Sequence, residues 1–169
     1  MSGLLTISFT GARELDRRGC GVILNVLAAL PAAGRYVTGG CTGGDAFIGR
    51  HLAESRPEAQ HAVIVPADKS RVDPWWLTVE AGVELILMPG GSTYRHRNAR
   101  LVAEGTFICG FPAYPESDPW SLRSGTWQTI RMARQAGKLC RWDCIRPPFK
   151  GCVEKWPNEF EVRRIKSDD

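Results

Sequence analysis

The residues best suited to bind a ligand lie in a glycine-rich run, Thr38-Gly39-Gly40-Cys41-Thr42-Gly43-Gly44-Asp45. The run follows the apolar pair Tyr36-Val37 and precedes a segment with helical character at 46–53. Glycine lets a ligand approach the main chain without meeting a Cβ, and unpaired amides at a helix start attract an anion. The run therefore predicts a phosphate-binding turn, whose candidate ligand-binding residues are Gly39, Gly40, Thr42, Gly43, Gly44 and Asp45.

This run differs from two common phosphate-binding patterns. Gly39 and Gly44 have the separation of a Walker A loop, but Asp45 stands where that loop requires lysine. The run is not a strict G-x-G-x-x-G either. A tight strand-to-helix turn, capped by Thr42 or Asp45 and binding no ligand, is the alternative.

A second group of polar residues lies on a predicted helix over 94–103. The stripe on its inward side contains Tyr94, Asn98 and Leu101 and continues to Gly105, and Arg97 lies at the border of the stripe. A guanidinium and an amide on the inward side of a helix need partners, because burying them unpaired is unfavourable. We therefore take Tyr94, Arg97 and Asn98 as candidate ligand-binding residues.

A third group, Ser124-Gly125-Thr126, begins a helix that we predict to end at Ala136 before Gly137. Its amides and two hydroxyls could hold another phosphate or a ribose. Simple N-capping by Ser124 is the alternative.

The segments that carry these groups alternate between strands and helices. We predict strands at 4–9, 35–38, 61–65, 83–88, 106–111 and 139–142, and helices at 19–30, 46–53, 94–103 and 124–136. This alternation predicts an α/β, Rossmann-like fold with a mostly parallel sheet and helices on both faces. The run at 83–88, which is apolar apart from Glu84, is typical of a strand buried on both faces. Trp75 and Trp76 are expected to pack on the edge of the core.

Length and composition are those of a single globular domain. The chain has 169 residues, is 43% apolar and carries a formal charge of +4, which tolerates polyanions but is too low for a dedicated basic surface. We assign 1–144 to the domain and 145–169 to a C-terminal extension, because periodicity stops there. No membrane span or signal sequence is evident, so we expect a cytoplasmic protein with reduced cysteines.

No metal or cofactor is predicted. Cys140, Cys144 and Cys152 lack the fourth ligand that a structural zinc site needs.

Together the three groups resemble the SLOG superfamily, Rossmann-like proteins that include the lonely guy phosphoribohydrolases and the DNA-processing protein A family. The resemblance covers roughly residues 3–143. It implies that the glycine turn lies near phosphate, that Arg97 matches the Arg of an Arg-Lys pair, and that Gly125-Thr126 matches part of a Pro-Gly-Gly-x-Gly-Thr-x-x-Glu motif. Asn98 replaces the Lys of that pair, and Thr129 replaces the Glu of that motif.

The two departures bear on catalysis. In the phosphoribohydrolases the Glu and Arg serve cleavage of a nucleotide's N-glycosidic bond, and threonine cannot supply the carboxylate that this chemistry needs. Asp45 or Asp68 would have to substitute, which makes Asp45 and Arg97 the candidate catalytic pair. Helix capping by Asp45 and loop solvation by Asp68 are the alternatives.

Three functions remain open at this point. The first is binding of a nucleotide or nucleotide-derived signal by a sensor or sequestering protein, with Tyr94, Trp75 or Trp127 stacking on the base. The second is a nucleoside-monophosphate phosphoribohydrolase. The third is single-stranded DNA binding, for which the chain offers six arginines near the predicted site: Arg95, Arg97, Arg100, Arg123, Arg131 and Arg134. A homo-oligomer is also expected, from apolar surface around Trp75, Trp76 and Trp120.

Overall fold

The computed structural model describes residues 4–77, 82–147 and 151–152. The chain has seven strands: β1 (Thr6–Gly11), β2 (Arg35–Gly39), β3 (Gln60–Val65), β4 (Val83–Leu87), β5 (Phe107–Phe111), β6 (Leu139–Asp143) and β7 (Gly151–Cys152). The α-helices are α1 (Arg17–Ala29), α2 (Gly44–Ser55), α3 (Tyr94–Glu104) and α4 (Gly125–Gln135). Short 3-10 helices occupy Lys69–Arg71, Pro74–Leu77 and Pro119–Arg123.

All strands belong to one sheet with the order β4-β3-β2-β1-β5-β6-β7. The first six are parallel, and β7 pairs antiparallel with β6. The chain runs outward from β1 to β4, then returns to place β5 on the other side of β1. The carboxyl ends of β1 and β5 therefore border a topological switch point, where open α/β sheets bind ligands.

Helices cover both faces of this sheet, as predicted. On one face, α1 and α2 pack Ile23, Leu27, Ile48 and Leu52 against alternate strand residues such as Phe9. On the other face, α3 packs Leu101 against Val37, Ala62 and Ile64, and α3 and α4 pack Val102 and Ala133 against Ile108. The α/β, Rossmann-like fold expected from the alternating pattern is confirmed.

The prediction that strand 83–88 is buried on both faces is wrong. β4 is the edge strand of the described sheet and pairs with β3 alone. Leu85 and Leu87 are 39% and 63% exposed. An apolar run does not reveal strand order, and strand order determines which strand lacks a second neighbour.

The predictions for the tryptophans and for the C-terminal extension can be compared with the structure where those residues are described. Trp76 is buried against Val63, Val65 and Val72 at the core edge, as expected. Ile145, at the start of the predicted extension, is buried in the main core cluster. The remainder of the extension, apart from 146–147 and β7, lies outside the described residues. Among the described helices, none is both long and apolar enough to cross a membrane.

Candidate functional site

A cleft of about 460 Å³ opens at the switch point. Its lining comes from the end of β1 and the loop that follows it (10–13), from Cys41 after β2, and from Asp45 in the first turn of α2. It also includes Arg71, three residues of α3 (Tyr94, Arg97 and Asn98) and the segment 122–126 with Gln128 at the start of α4. The lining thus contains four arginines, Arg13, Arg71, Arg97 and Arg123, and a single carboxylate residue, Asp45. The cleft is suited to an anion.

Arg97 lies at the base of the cleft with unused hydrogen-bonding capacity. Its side chain is 8% exposed. Nη2 donates to Sγ of Cys41 at 3.2 Å, and Nη1 lies 3.4 Å from Oδ2 of Asp45. Neither Nε nor Nη1 makes a hydrogen bond with the described residues. Because unsatisfied buried donors are unfavourable, this guanidinium is poised to bind an acceptor that enters the cleft.

Asp45 holds this part of the site together. Its Oδ1 accepts from the amide of Gly11 at 2.9 Å, while Oδ2 faces Arg97. Burial raises the pKa of Asp45, and the neighbouring Arg97 and the Gly11 amide only partly oppose that rise. The carboxyl group joins the β1 turn to α3, so its geometry is that of a positioning residue.

The Asp45–Arg97 pair occupies the space above Gly39. A Cβ at Gly39 would collide with Nη1 of Arg97 and Oδ2 of Asp45. Glycine is therefore required at the end of β2 for these two side chains to meet.

Tyr94 is surrounded by arginines. The guanidinium carbons of Arg13 and Arg71 each lie 5.4 Å from the centre of its ring, and that of Arg97 lies 5.9 Å away. Cation–π attraction accounts for their shared position. Arg13 and Arg71 make no ion pair with the described residues, so the mutual repulsion of the three guanidinium groups favours a negatively charged ligand.

The start of α4 forms the opposite wall. Ser124 caps the helix by accepting from the amide of Trp127 at 3.2 Å, and the first intrahelical bond runs from Gln128 N to Ser124 O. The amides of Gly125 and Thr126 precede that bond, as the first amides of a helix do. Capping and a ligand role are therefore compatible here, because Ser124 uses the third amide and leaves the first two.

Asn98 orients this wall from α3. Its Nδ2 donates to Oε1 of Gln128 at 3.0 Å and to the carbonyl of Gly125 at 3.4 Å. Asn98 is 2% exposed. With its carbonyl engaged by Asn98, Gln128 retains its amide hydrogens for a ligand in the cleft.

The glycine turn lies beneath the cleft rather than along its surface. At Gly43, where φ is 84°, an added Cβ would collide with the carbonyl of Arg13. At Gly44 it would lie 2.9 Å from Cα of Gly11, and at Gly40 it would lie 3.3 Å from Cα of Val65. Thr42 is exposed, and its amide donates to the carbonyl of Arg71 at 3.1 Å. The described cleft lining thus includes seven of the twelve predicted ligand-binding residues and omits Gly39, Gly40, Thr42, Gly43 and Gly44. These five shape the site through close backbone packing.

The side chains of Thr129 and Asp68 each bond to a backbone group of the protein and do not line the cleft. Thr129 is fully buried, and its hydroxyl donates to the carbonyl of Gly125 at 2.9 Å. Asp68 caps the 3-10 helix Lys69–Arg71 by accepting from Ser70 N and does not line the cleft. Asp45 is the one carboxylate among the described residues of the cleft wall.

The six arginines considered for DNA binding do not form one surface. Arg97 and Arg123 line the cleft. Arg100 pairs with Glu104, while Arg131 and Arg134 both pair with Glu116. Arg95 is exposed on α3 and outside the cleft lining.

Arg13, Arg71 and Gln128 were missed in the sequence. Arg13 follows β1, and its position at the carboxyl end of a first strand was the available signal. Arg71 reaches the cleft because Cys41 and Val72 form an antiparallel bridge, which local sequence does not reveal. Gln128 lies one turn into α4, beside the Ser124-Gly125-Thr126 group.

Comparisons with protein-family models, curated proteins and solved structures found no match to this chain. Among the described residues, no three His, Cys, Asp or Glu side chains are grouped to hold a metal ion.

Proposed function

We propose that the protein binds a nucleotide or nucleotide-derived signal, as a sensor or sequestering protein, with a phosphate group in the arginine-rich cleft. The observation that carries the proposal is Arg97, a buried guanidinium whose Nε and Nη1 make no hydrogen bond with the described residues, in a cleft that three further arginines line. Phosphate oxygens match the planar donor set of a guanidinium and can accept two parallel hydrogen bonds.

The remaining wall supports the same ligand class. The first amides of α4 provide an anion-binding helix start within reach of the same cleft. Gln128 supplies a neutral polar group suited to a ribose hydroxyl or a base. The resemblance to the SLOG superfamily independently favours a nucleotide over a simple anion.

The test combines native mass spectrometry with calorimetry. The purified protein is analysed for a retained small molecule, then titrated with ribose 5-phosphate and with nucleoside mono- and diphosphates. We expect a phosphate-bearing ligand to bind and Arg97→Ala or Arg71→Ala to weaken it at least about tenfold, since charged hydrogen bonds contribute about 1.5–3 kcal/mol. Arg95→Ala is the control, because it removes the same charge from α3 outside the cleft.

Two results would refute this proposal. One is an absence of binding by every phosphate compound tested. The other is an equal loss of affinity in Arg95→Ala and Arg71→Ala, which would indicate a general charge effect rather than the cleft.

A nucleoside-monophosphate phosphoribohydrolase is the second candidate, favoured by one observation. Asp45 has a raised pKa and lies beside Arg97 in the cleft, which are properties of many catalytic acids. On this hypothesis, incubation with nucleoside monophosphates releases free base, and Asp45→Asn abolishes the release while retaining binding. Intact nucleotide after long incubation at high protein concentration would exclude it.

A further inference from the structure

A second depression of about 400 Å³ adjoins the arginine-rich cleft. The two share Ala12, Arg13, Arg123 and Ser124 as lining residues. The cleft and the depression are therefore adjacent, and a ligand bound in the cleft that extends past Arg13 and Arg123 reaches this depression.

Trp120, on the 3-10 helix Pro119–Arg123, gives the depression an aromatic surface. Trp120 is 62% exposed, and the guanidinium carbon of Arg123 lies 5.6 Å from the centre of its ring. Arg123 makes no ion pair with the described residues. A planar aromatic group could stack on this tryptophan while Arg123 contacts an attached anion.

Another part of the depression is lined by Glu14, Tyr114 and Arg146, and contacts among these three side chains fix their positions and offset the charge of Arg146. Arg146 donates from Nη1 to the hydroxyl of Tyr114 at 2.8 Å and pairs through Nη2 with Glu14 at 2.7 Å. Its guanidinium carbon also lies 5.5 Å from the centre of the Tyr114 ring. This wall therefore presents ordered aromatic and guanidinium groups with little net charge, unlike the cationic cleft beside it.

Tyr94, Trp127 and Trp75, the aromatic residues that the sequence suggests for base stacking, each contact other side chains or backbone of the protein. Three guanidinium groups surround Tyr94. Trp127 is fully buried and donates through Nε1 to the carbonyl of Tyr114, and Trp75 packs edge-on against Trp76. Trp120, by contrast, lines the adjoining depression and keeps an exposed ring.

We propose that the Trp120 depression is the subsite for the base of the ligand, whose phosphate lies in the arginine-rich cleft. This inference rests on the proposed function and specifies it: the ligand is a nucleotide with its base stacked on Trp120. A sugar phosphate would fill the cleft alone.

The experiment compares ribose 5-phosphate with the four common nucleoside 5′-monophosphates by calorimetry, using the full chain. We expect at least one nucleotide to bind about tenfold or more tightly than ribose 5-phosphate, the range that stacking of one base typically contributes. Trp120→Ala should reduce that preference to about twofold. Trp120→Phe, which keeps an aromatic ring, should retain most of the preference.

These measurements distinguish failure of the base subsite from failure of the proposed function. If ribose 5-phosphate and nucleotides bind equally, or if Trp120→Ala leaves the preference intact, the base subsite is refuted and anion binding in the cleft stands. If none of the five compounds binds, the subsite and the proposed function fall together. An unchanged melting temperature for Trp120→Ala checks that the variant is folded.

Discussion

Arg97 and Asp45 form a buried pair directly above Gly39, with 3.4 Å between Nη1 of the guanidinium and Oδ2 of the carboxylate. This relationship explains the glycine at the end of β2 by protein packing rather than by ligand approach. It also connects α3 to the turn after β1, because Asp45 accepts from Gly11 N.

Gly39→Ala is expected to disturb the site through this pair. The added methyl group would collide with both side chains, and such overpacking typically costs about 1–3 kcal/mol of unfolding free energy. We expect that destabilisation in chemical denaturation, together with at least about a tenfold loss of phosphate-ligand affinity.

Gly21→Ala is the matched control for that substitution. Gly21 lies in α1, and a Cβ there meets nothing within 4 Å. Alanine should stabilise the helix by about 0.5–1 kcal/mol and leave ligand affinity unchanged. A Gly39→Ala variant that binds as tightly as the wild type would contradict the assigned role of the pair.

Asp45→Asn should alter the pH dependence of stability. Burial raises the pKa of Asp45, so between its unfolded and folded pKa values the folded protein binds more protons than the unfolded chain. The contribution of this group to stability therefore falls as pH rises from about 4 through the folded pKa. The unfolding free energy of wild type minus that of Asp45→Asn should decrease over this window.

Asp68→Asn should give the opposite sign. Hydrogen bonds to Ser70 lower the pKa of this exposed carboxyl, so its contribution appears above the unfolded pKa and is lost as pH falls through the folded value. Urea denaturation of the wild type, Asp45→Asn and Asp68→Asn across roughly pH 3–8, the range over which carboxyl groups titrate, makes the comparison. If the unfolding free energies of Asp45→Asn and wild type change in parallel with pH, the carboxyl of Asp45 does not cause the pH dependence of stability.

Thr129→Glu is expected to unfold the protein rather than create a hydrolase. Thr129 is fully buried, and an uncompensated charge there should cost about 3–5 kcal/mol. Thr129→Val retains the shape and loses one hydrogen bond to Gly125, which should cost about 1 kcal/mol.

The neighbouring Gln128→Glu provides the contrasting control. Gln128 is half-buried on the cleft wall, so this carboxylate should be tolerated in folding and should weaken anion binding by repulsion. Thermal melting and calorimetry distinguish the variants. A stable Thr129→Glu protein that releases base from nucleotides would overturn our interpretation of this helix.

Glu116→Gln should reduce stability at neutral pH but not in acid. Despite partial burial, ion pairing with Arg134 and Arg131 lowers the pKa of Glu116. Its stabilising contribution is therefore present above the unfolded pKa and is lost as pH falls through the folded value. Melting temperatures of wild type and Glu116→Gln should begin to converge as pH falls below about 4, near the unfolded pKa of glutamate, and should coincide below the folded pKa. A constant difference at all pH values would contradict ionic stabilisation.

Local sequence was sufficient for the elements and for part of the site. The spacing of apolar residues predicted strands that alternate with helices along the chain, and a parallel sheet requires such alternation. Ser124 was recognisable as a helix cap, and the inward position of Arg97 and Asn98 followed from their spacing from Leu101. Each of these inferences depends on interactions within one or two helical turns, which sequence spacing records directly.

Tertiary structure decided which of those residues share a cleft. Strand order places β1 beside β5, which brings Arg13 to the start of α4, and a bridge between Cys41 and Val72 delivers Arg71. The same strand order leaves β4 at an edge of the sheet. The side chains of Arg97 from α3 and Asp45 from the start of α2 meet over Gly39. These outcomes depend on which distant segments pack together, so no local spacing contains them.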